Sequence, residues 1–295
     1  MRSYASRMFI ILGATGHIGS ALCEILAERS VPYTAVTRKP EARARLEQRG
    51  ARVAVCDVHD VRALRAVFSG ARRAYLLNPP ADPASDTVAE ERATVRAILQ
   101  ALEGSGLEQV VAQSTYGAQP ADAIGDLGVL HEFELGLRAQ AIPAAIVRGA
   151  YYMVNWDYNL EAARSEGVVH SFFPADFELP MIAPRDLAQV AAELLLHPTI
   201  DNGLYYAEGP ERYTPADVAS AFSRALERPV RVEPIPEDSW LEALRQSGFS
   251  ERAAQSMAAM TRVTLERCER PDAPLRGRTT LEHYIRNVVA PQARG

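Results

Sequence analysis

Between Met8 and about Val147, the hydrophobic and polar positions alternate between short apolar runs and longer amphipathic stretches. The short runs predict strands, and the stretches between them predict helices because their apolar residues recur at helical spacing. This alternation is typical of a parallel sheet with helices on both faces. We therefore predict an α/β fold with a Rossmann-type, doubly wound parallel sheet. The six predicted strands are Phe9 to Leu12, Tyr33 to Thr37, Val53 to Cys56, Ala74 to Leu77, Val110 to Gln113 and Ala144 to Val147.

The regular alternation weakens beyond Arg148, where Pro-rich and aromatic-rich segments precede further helical patterns. We expect residues 1–155 to form the Rossmann domain, with residues 178–210 returning to its sheet. Residues 156–177 and 211–295 are expected to form a smaller, mainly helical C-terminal lobe that contributes to substrate binding. The helices predicted in this half are Pro184 to Leu196, Thr214 to Glu227, Glu237 to Gln246 and Glu251 to Arg267.

A glycine-rich turn joins the first predicted strand to an amphipathic helix, in the spacing GxxGxxG. Gly13 allows the tight turn, Gly16 lets backbone N–H groups approach a pyrophosphate, and Gly19 lets the helix pack closely on the strand. The positive end of the helix favours phosphate at the same place. The context predicts a dinucleotide site, with Gly13, Thr15, Gly16, His17, Ile18 and Gly19 as cofactor-binding residues.

The residues after the second strand select between the nicotinamide cofactors, because an acid there binds the ribose 2′-hydroxyl and a cation accepts the 2′-phosphate. Here Arg38 and Lys39 follow Thr37, without Asp or Glu. They favour NADP(H), although a solvated pair of cations at a helix start is the plainer alternative. Further cofactor contacts are predicted at the ends of the next strands, from Asp57, Val58, Asn78, Pro79, Ser114 and Thr115. Ser114 and Thr115 could equally hydrogen-bond the loop that follows them.

Composition and charge exclude several classes of partner. The net charge of -5 gives no basic footprint for nucleic acid, and no charge run indicates a membrane surface. The apolar run from Met8 to Leu12 is too short for a signal peptide or a membrane span, so a cytoplasmic location is expected. The scattered histidines argue against a metal site. The oligomeric state is left open between monomer and homodimer.

A series of motifs follows the glycine turn in a defined order. They are Thr37-Arg38-Lys39-Pro40, Asp57-Val58, Asn78-Pro79-Pro80, Ser114-Thr115, Arg148-Gly149 with Asn155, Ile182 to Ala188, and Gly203 to Tyr206. This combination resembles the NmrA-like group of atypical short-chain dehydrogenases/reductases, and the segment from Ala150 to Asn155 most resembles its quinone oxidoreductase branch. The resemblance implies a Rossmann domain, NADP(H), and either quinone or enone reduction or cofactor sensing without turnover.

Lys39 is the single lysine of the chain. A standard dehydrogenase of this superfamily pairs a tyrosine with a lysine one helical turn later, so that the cation lowers the pKa of the phenol. That pair cannot form here, because Tyr116, Tyr151 and Tyr152 are followed four residues later by Pro, Asn and Trp. Interconversion of simple alcohols and ketones by this proton relay is therefore disfavoured.

The candidate proton donors or acceptor-orienting residues are His131, Tyr116 and Asn155. His131 is predicted to open a helix, near the place where NmrA-like proteins often carry a lysine or histidine. Counting back from Arg148 puts Leu130 at that place instead, and a surface role for His131 is the alternative. The loop from Gly117 to Val129 is predicted to be a mobile flap.

Flat aromatic side chains follow the sixth strand and suit a flat acceptor, although core packing is an equally common role for each. The predicted pocket residues are Tyr151, Tyr152, Trp156 and Phe172. Hydride addition to a quinone gives a resonance-stabilised phenolate, for which a hydrogen-bond donor suffices. We predict NADPH-dependent reduction of a quinone or similar conjugated carbonyl compound. The alternatives are a non-catalytic NADP(H)-sensing regulator and a redox-neutral isomerase or cyclase.

Overall fold

The computed structural model describes residues 8–121, 123–197 and 202–290. The predicted ranges 1–155, 178–210, 211–295 and the predicted flap extend over residues 1–7, 122, 198–201 and 291–295, which lie outside the described part. The strands in chain order are β1 (Phe9–Ile11), β2 (Tyr33–Thr37), β3 (Arg52–Val55), β4 (Arg73–Leu76), β5 (Gln109–Thr115), β6 (Ala144–Gly149), β7 (Tyr151–Tyr152), β8 (Val168–Ser171), β9 (Leu179–Ile182), β10 (Gly203–Glu208), β11 (Arg212–Tyr213), β12 (Arg231–Pro234) and β13 (Leu275–Arg276).

The helices alternate with these strands through most of the chain. They are α1 (His17–Glu28), α2 (Arg43–Gln48), α3 (Val61–Phe68), α4 (Thr87–Leu102), α5 (Asp126–Arg138), α6 (Leu160–Ser165), α7 (Pro184–Leu196), α8 (Pro215–Leu226), α9 (Trp240–Gln246), α10 (Glu251–Glu266) and α11 (Leu281–Val289). None of these described helices is both long and apolar enough to span a membrane.

Eight parallel strands form the central sheet in the order β13-β10-β6-β5-β4-β1-β2-β3. The chain runs from β1 outward to β3 and then crosses back to β4, on the other side of β1. This reversal opens a crevice at the carboxyl ends of β1 and β4, which is where ligands bind in doubly wound sheets. The sheet confirms the predicted Rossmann-type α/β fold.

Two apolar layers cover the faces of the central sheet. Leu22 of α1 and Leu187 of α7 are fully buried on one face. Phe68 of α3, Ile98 of α4 and Phe133 of α5 fill the other face. Both layers exclude water from the strands between them, which explains why the predicted strands are nearly continuous apolar runs.

The second half of the chain builds a lobe with its own apolar core, which contains Trp156, Phe173, Phe222 and Ile285. Besides helices, this half contains a three-stranded sheet, β11-β9-β7, and a two-stranded sheet, β12-β8. Of the segment predicted to return to the central sheet, β10 joins that sheet and β9 pairs with β7 and β11. Leu275–Arg276, predicted as part of the smaller lobe, pairs with β10 at the edge of the central sheet. A strand of two residues has no alternation of hydrophobic and polar positions by which to predict it.

Candidate active site

Only glycine fits at Gly13, in the turn between β1 and α1, and at Gly19, in the first turn of α1. Gly13 has φ +65°, and a Cβ at Gly19 would lie 2.1 Å from the carbonyl oxygen of Gly13. The N–H of Gly16 donates to the same carbonyl at 2.9 Å and closes the turn. The backbone is therefore bent into a cradle, with the start of α1 held directly against it.

The N-terminus of α1 is open to an anion. Gly16 is the N-cap and supplies no side-chain cap, and the first turn carries no acidic residue. Gly16 and His17 are exposed, Thr15 is half-buried, and Ile18 is buried in the sheet-facing layer. The first N–H groups of a helix lack intrahelical partners and bear positive partial charge, so this cradle fits a pyrophosphate.

Two cations stand at the end of β2. Arg38 and Lys39 are both exposed, and the buried Thr37 accepts a hydrogen bond from the Lys39 N–H at 3.0 Å. At the end of β3, the exposed Asp57 accepts from the His59 N–H at 2.9 Å, and Val58 packs against the apolar layer. The arrangement leaves the Arg38 and Lys39 side chains extending from the carboxyl edge of the sheet toward solvent.

The ends of β4 and β5 differ in how their polar side chains are used. Beyond β4, the Asn78 Oδ1 atom is buried and has no hydrogen-bond partner within the described part of the chain. Pro79 and Thr115 are half-buried. Ser114 is 1% exposed, and its hydroxyl donates to the Glu134 carboxylate in α5. The Asn78 Oδ1 atom is thus a buried acceptor available for a hydrogen bond, whereas the Ser114 hydroxyl already donates one to a buried carboxylate.

That carboxylate belongs to a buried ion pair that the sequence analysis missed. Arg148 of β6 binds Glu134 through both nitrogens of its guanidinium edge, at 2.8 and 2.9 Å. Arg148 also donates to the carbonyl oxygen of Ala118 at 2.7 Å. Charged residues at core-facing positions require a partner. The arginine inside the apolar strand Ala144–Gly149 was the signal that could have revealed the pair.

A residue from the second half of the chain completes this network. The Glu269 carboxylate accepts hydrogen bonds from the Gly117 N–H at 2.8 Å, from Arg148 Nη1 at 3.1 Å and from the Tyr206 hydroxyl at 2.6 Å. The bounds of the predicted flap are corrected here, because α5 already begins at Asp126. The mobility of the remaining loop stays a prediction, and its first residue, Gly117, donates its N–H to Glu269.

Tyr116 lies near Glu269 of this network and near a second carboxylate, the buried Glu208. Its ring contacts Tyr206 edge to face, with centroids 5.4 Å apart, and its hydroxyl is buried without a partner in the described residues. Burial, followed by the charges of Glu208 and Glu269, raises the pKa of Tyr116 above its ordinary value. This phenol stays protonated at neutral pH, so it can donate a hydrogen bond and is a weak acid.

His131 and Asn155 lie in different settings. His131 is the sixth residue of α5, not its first, because Gly125 with φ +53° begins the helix earlier than predicted. Its Nδ1 atom is buried without a partner among the described residues. Asn155 is exposed in the 3-10 segment Met153–Asn159. The hydrogen bonds of the described residues do not join these two side chains to Tyr116.

The predicted pocket aromatics pack against different neighbours. Tyr151 contacts Trp156 with centroids 5.9 Å apart, and Trp156 is only 1% exposed. Phe172 contacts Trp240 edge to face at 6.1 Å. Tyr152 packs against the apolar layer on one face of the central sheet. Tyr151, Tyr152 and Phe172 remain half-buried, whereas Trp156 belongs to the core of the second lobe.

Comparison with known proteins assigns the chain to a family. A sequence model described as the NmrA-like family matches residues 6–284. The chain belongs to the NmrA-like family. Among curated relatives, the NAD(P)H azoreductase of Xenophilus azovorans is 27% identical over 251 residues, which cover 85% of each chain. Quinone oxidoreductase 2 of Escherichia coli is 23% identical over 256 residues, covering 85% of this chain and 86% of the relative.

Solved structures share the fold of this NmrA-like chain. The NADPH-dependent quinone oxidoreductase of Escherichia coli in complex with NADPH superposes with a TM-score of 0.80 at 21% identity, over 97% of this chain and 100% of the other. The triphenylmethane reductase of Citrobacter sp. in complex with NADP(H) gives a TM-score of 0.80 at 18% identity, over 95% and 99%.

Proposed function

We propose that the chain is an NADPH-dependent reductase that acts on a quinone or a similarly conjugated, electron-poor acceptor. The observation that carries the proposal is the exposed Arg38 and Lys39 pair, which follows β2 beside an uncapped glycine cradle. The relatives support the reaction class, because those named above are an azoreductase and a quinone oxidoreductase. When bound, NADPH supplies two electrons and one hydrogen as hydride from its nicotinamide ring.

The residues of the cradle and the strand ends fit the cofactor from one end to the other. The Gly13-to-Gly19 turn would hold the pyrophosphate with backbone N–H groups. Arg38 and Lys39 would hold the 2′-phosphate, and Asp57 with Val58 would line the adenine end. The buried Asn78 Oδ1, which has no partner among the described residues, would accept a hydrogen bond from a hydroxyl of the nicotinamide ribose. Pro79 and Thr115 would line the nicotinamide pocket.

The protonation chemistry follows from what the site contains. The chain has no Tyr-Lys relay, and burial, followed by the charges of nearby carboxylates, raises the pKa of Tyr116 so that its phenol stays protonated. A reduced quinone is a stabilised phenolate, so Tyr116, His131 or Asn155 need only donate a hydrogen bond while a proton arrives from solvent. One hydride and one proton convert the quinone to the hydroquinone. A simple ketone would give a basic alkoxide, for which this weakly acidic phenol is a poor partner.

The experiment that tests the proposal follows NADPH absorbance with purified protein and a panel of benzoquinones, naphthoquinones and anthraquinones. An azo dye and a triphenylmethane dye serve as comparison acceptors. We expect oxidation that requires enzyme, with quinones as the best acceptors. Tight NADPH binding without oxidation would contradict the proposal in favour of a sensor. Conversion of a compound without NADPH oxidation would contradict it in favour of a redox-neutral enzyme.

A further inference from the structure

Glu269 is one of the residues through which the second half of the chain contacts the end of β5. It lies between α10 and β13, with 26% of its side chain exposed. Its carboxylate contacts Gly117 and Tyr206, which lie 152 and 63 residues away along the sequence. These contacts form only when the segment after α10 docks on the carboxyl edge of the central sheet.

The buried pair next to Glu269 does not depend on it. Arg148 keeps both bonds to Glu134 and the bond to the Ala118 carbonyl if Glu269 is removed. The Glu134 and Arg148 side chains are 3% and 10% exposed, so they form the inner part of the network and Glu269 the outer part. Replacing Glu269 therefore removes one hydrogen-bond acceptor of Arg148, which stays paired with Glu134. We expect the fold to persist.

Glu269 holds Tyr116 from two sides. On the backbone side, it fixes the N–H of Gly117, the residue that follows Tyr116 and turns the chain with φ +78°. On the ring side, it accepts from the hydroxyl of Tyr206, against which the Tyr116 ring packs. The Tyr116 hydroxyl itself makes no hydrogen bond in the described residues, so the position of the phenol depends on these neighbours.

We propose that Glu269 is a positioning residue, which places Tyr116 and the backbone after β5 for the acceptor when the second lobe docks. This proposal rests on the proposed reductase function. It assigns the segment after α10 a part in the reaction that neither the sequence motifs nor the glycine cradle indicate. A Gln at this position can still accept from the Gly117 N–H, whereas an Ala cannot.

The test compares Glu269→Ala and Glu269→Gln with Glu266→Gln, an exposed control three residues earlier in the chain. We expect Glu269→Ala to lower kcat for quinone reduction by about tenfold or more, because a small displacement of an orienting group is costly in rate. Glu269→Gln should recover part of the loss, and Glu266→Gln should match the parent. The Kd for NADPH should be unchanged in all three variants. Equal kcat values for the parent and Glu269→Ala would overturn the proposal.

A double-mutant cycle separates positioning from a merely structural role. If Glu269 acts through Tyr116, then Glu269→Ala should change kcat by less than about threefold in a Tyr116→Phe background. A decrease in kcat in the Tyr116→Phe background as large as in the parent background would contradict the proposal.

Hydrogen exchange tests the same contact independently of turnover. Peptides that cover Gly117 should exchange faster in Glu269→Ala than in Glu266→Gln. Unchanged exchange would overturn the positioning role even if the parent reduces quinones. If the parent oxidises no NADPH but Glu269→Ala still exchanges faster than Glu266→Gln, the proposed reductase function is wrong and the contact of Glu269 with Gly117 is supported.

Discussion

Arg38 and Lys39 lie side by side after β2, where we propose that they bind the 2′-phosphate that distinguishes NADPH from NADH. A phosphate gains charge-assisted hydrogen bonds from a guanidinium, each of which contributes about 1.5–3 kcal/mol. We expect Arg38→Ala to weaken NADPH binding by about 10- to 100-fold and to leave NADH binding nearly unchanged. Fluorescence titration with both cofactors measures this difference.

The control for this prediction is Arg45→Ala, an exposed arginine in the nearby helix α2. It should alter neither affinity, because we assign the 2′-phosphate to Arg38 and Lys39. Equal losses of NADPH and NADH affinity in Arg38→Ala would show that Arg38 does not bind the 2′-phosphate.

Glu91 is a carboxyl group in the core-facing side of α4, and it is only 4% exposed. It accepts from the Ala81 N–H at 3.0 Å. Burial, followed by the hydrogen bond with Asp126 and the charge of that residue, raises the pKa of Glu91 to about 9. The folded chain therefore keeps a proton at neutral pH that the unfolded chain, with the ordinary value of 4.5, has lost.

The raised pKa of Glu91 predicts a pH-dependent stability. Its contribution to the free energy of unfolding is complete below the unfolded pKa and is lost as the pH rises toward about 9. One proton gives a slope of at most about 1.4 kcal/mol per pH unit. Urea unfolding of Glu91→Gln across this range should show a flatter slope than the parent. Glu103→Gln, at the exposed C-cap of the same helix, should keep the parental slope; identical slopes in all three proteins would refute the assignment.

At the scale of an element, helix α1 depends on two glycines in different ways. Gly19→Ala places a methyl group 2.1 Å from the Gly13 carbonyl oxygen, so we expect α1 to be displaced and the melting temperature to fall. A Cβ at Gly16 meets that oxygen at 3.4 Å, so Gly16→Ala should fold and lose NADPH affinity because the methyl group covers the phosphate cradle. Thermal melts with NADPH titration distinguish the two. Similar melting temperatures for Gly19→Ala and the parent would count against the close packing of α1.

The elements with strong periodicity could be predicted from the sequence. Tyr33–Thr37 and Pro184–Leu196 have the bounds that their patterns indicate. Helix α5 was placed too late because its start, Gly125-Asp126, lacks a Ser or Thr cap and relies on a glycine with positive φ. Periodicity reports which face of an element is buried, and it is silent where an element is two residues long or begins on an unusual backbone.

At the scale of the whole molecule, the proposed cofactor cradle is local in sequence, whereas the proposed acceptor side is not. The residues from Gly13 to Gly19 are contiguous, so their spacing revealed the cradle. Glu269 lies 121 residues from Arg148 and 152 from Gly117. Such a network joins residues whose separate sequence contexts contain no shared pattern, so only the packed fold shows it. If Glu269 positions Tyr116 as we propose, the acceptor side of the site depends on contacts between both halves of the chain.

The measurement that tests hydride transfer most directly is single-turnover oxidation of NADPH by a naphthoquinone, with the cofactor carrying either hydrogen or deuterium at C4 of the nicotinamide. NADH serves as the paired control in the same preparation. We predict oxidation of NADPH in preference to NADH, and a slower rate with the deuterated cofactor because the C4–H bond breaks in the reaction. Tight binding of NADPH with no oxidation by any acceptor would contradict the reductase function.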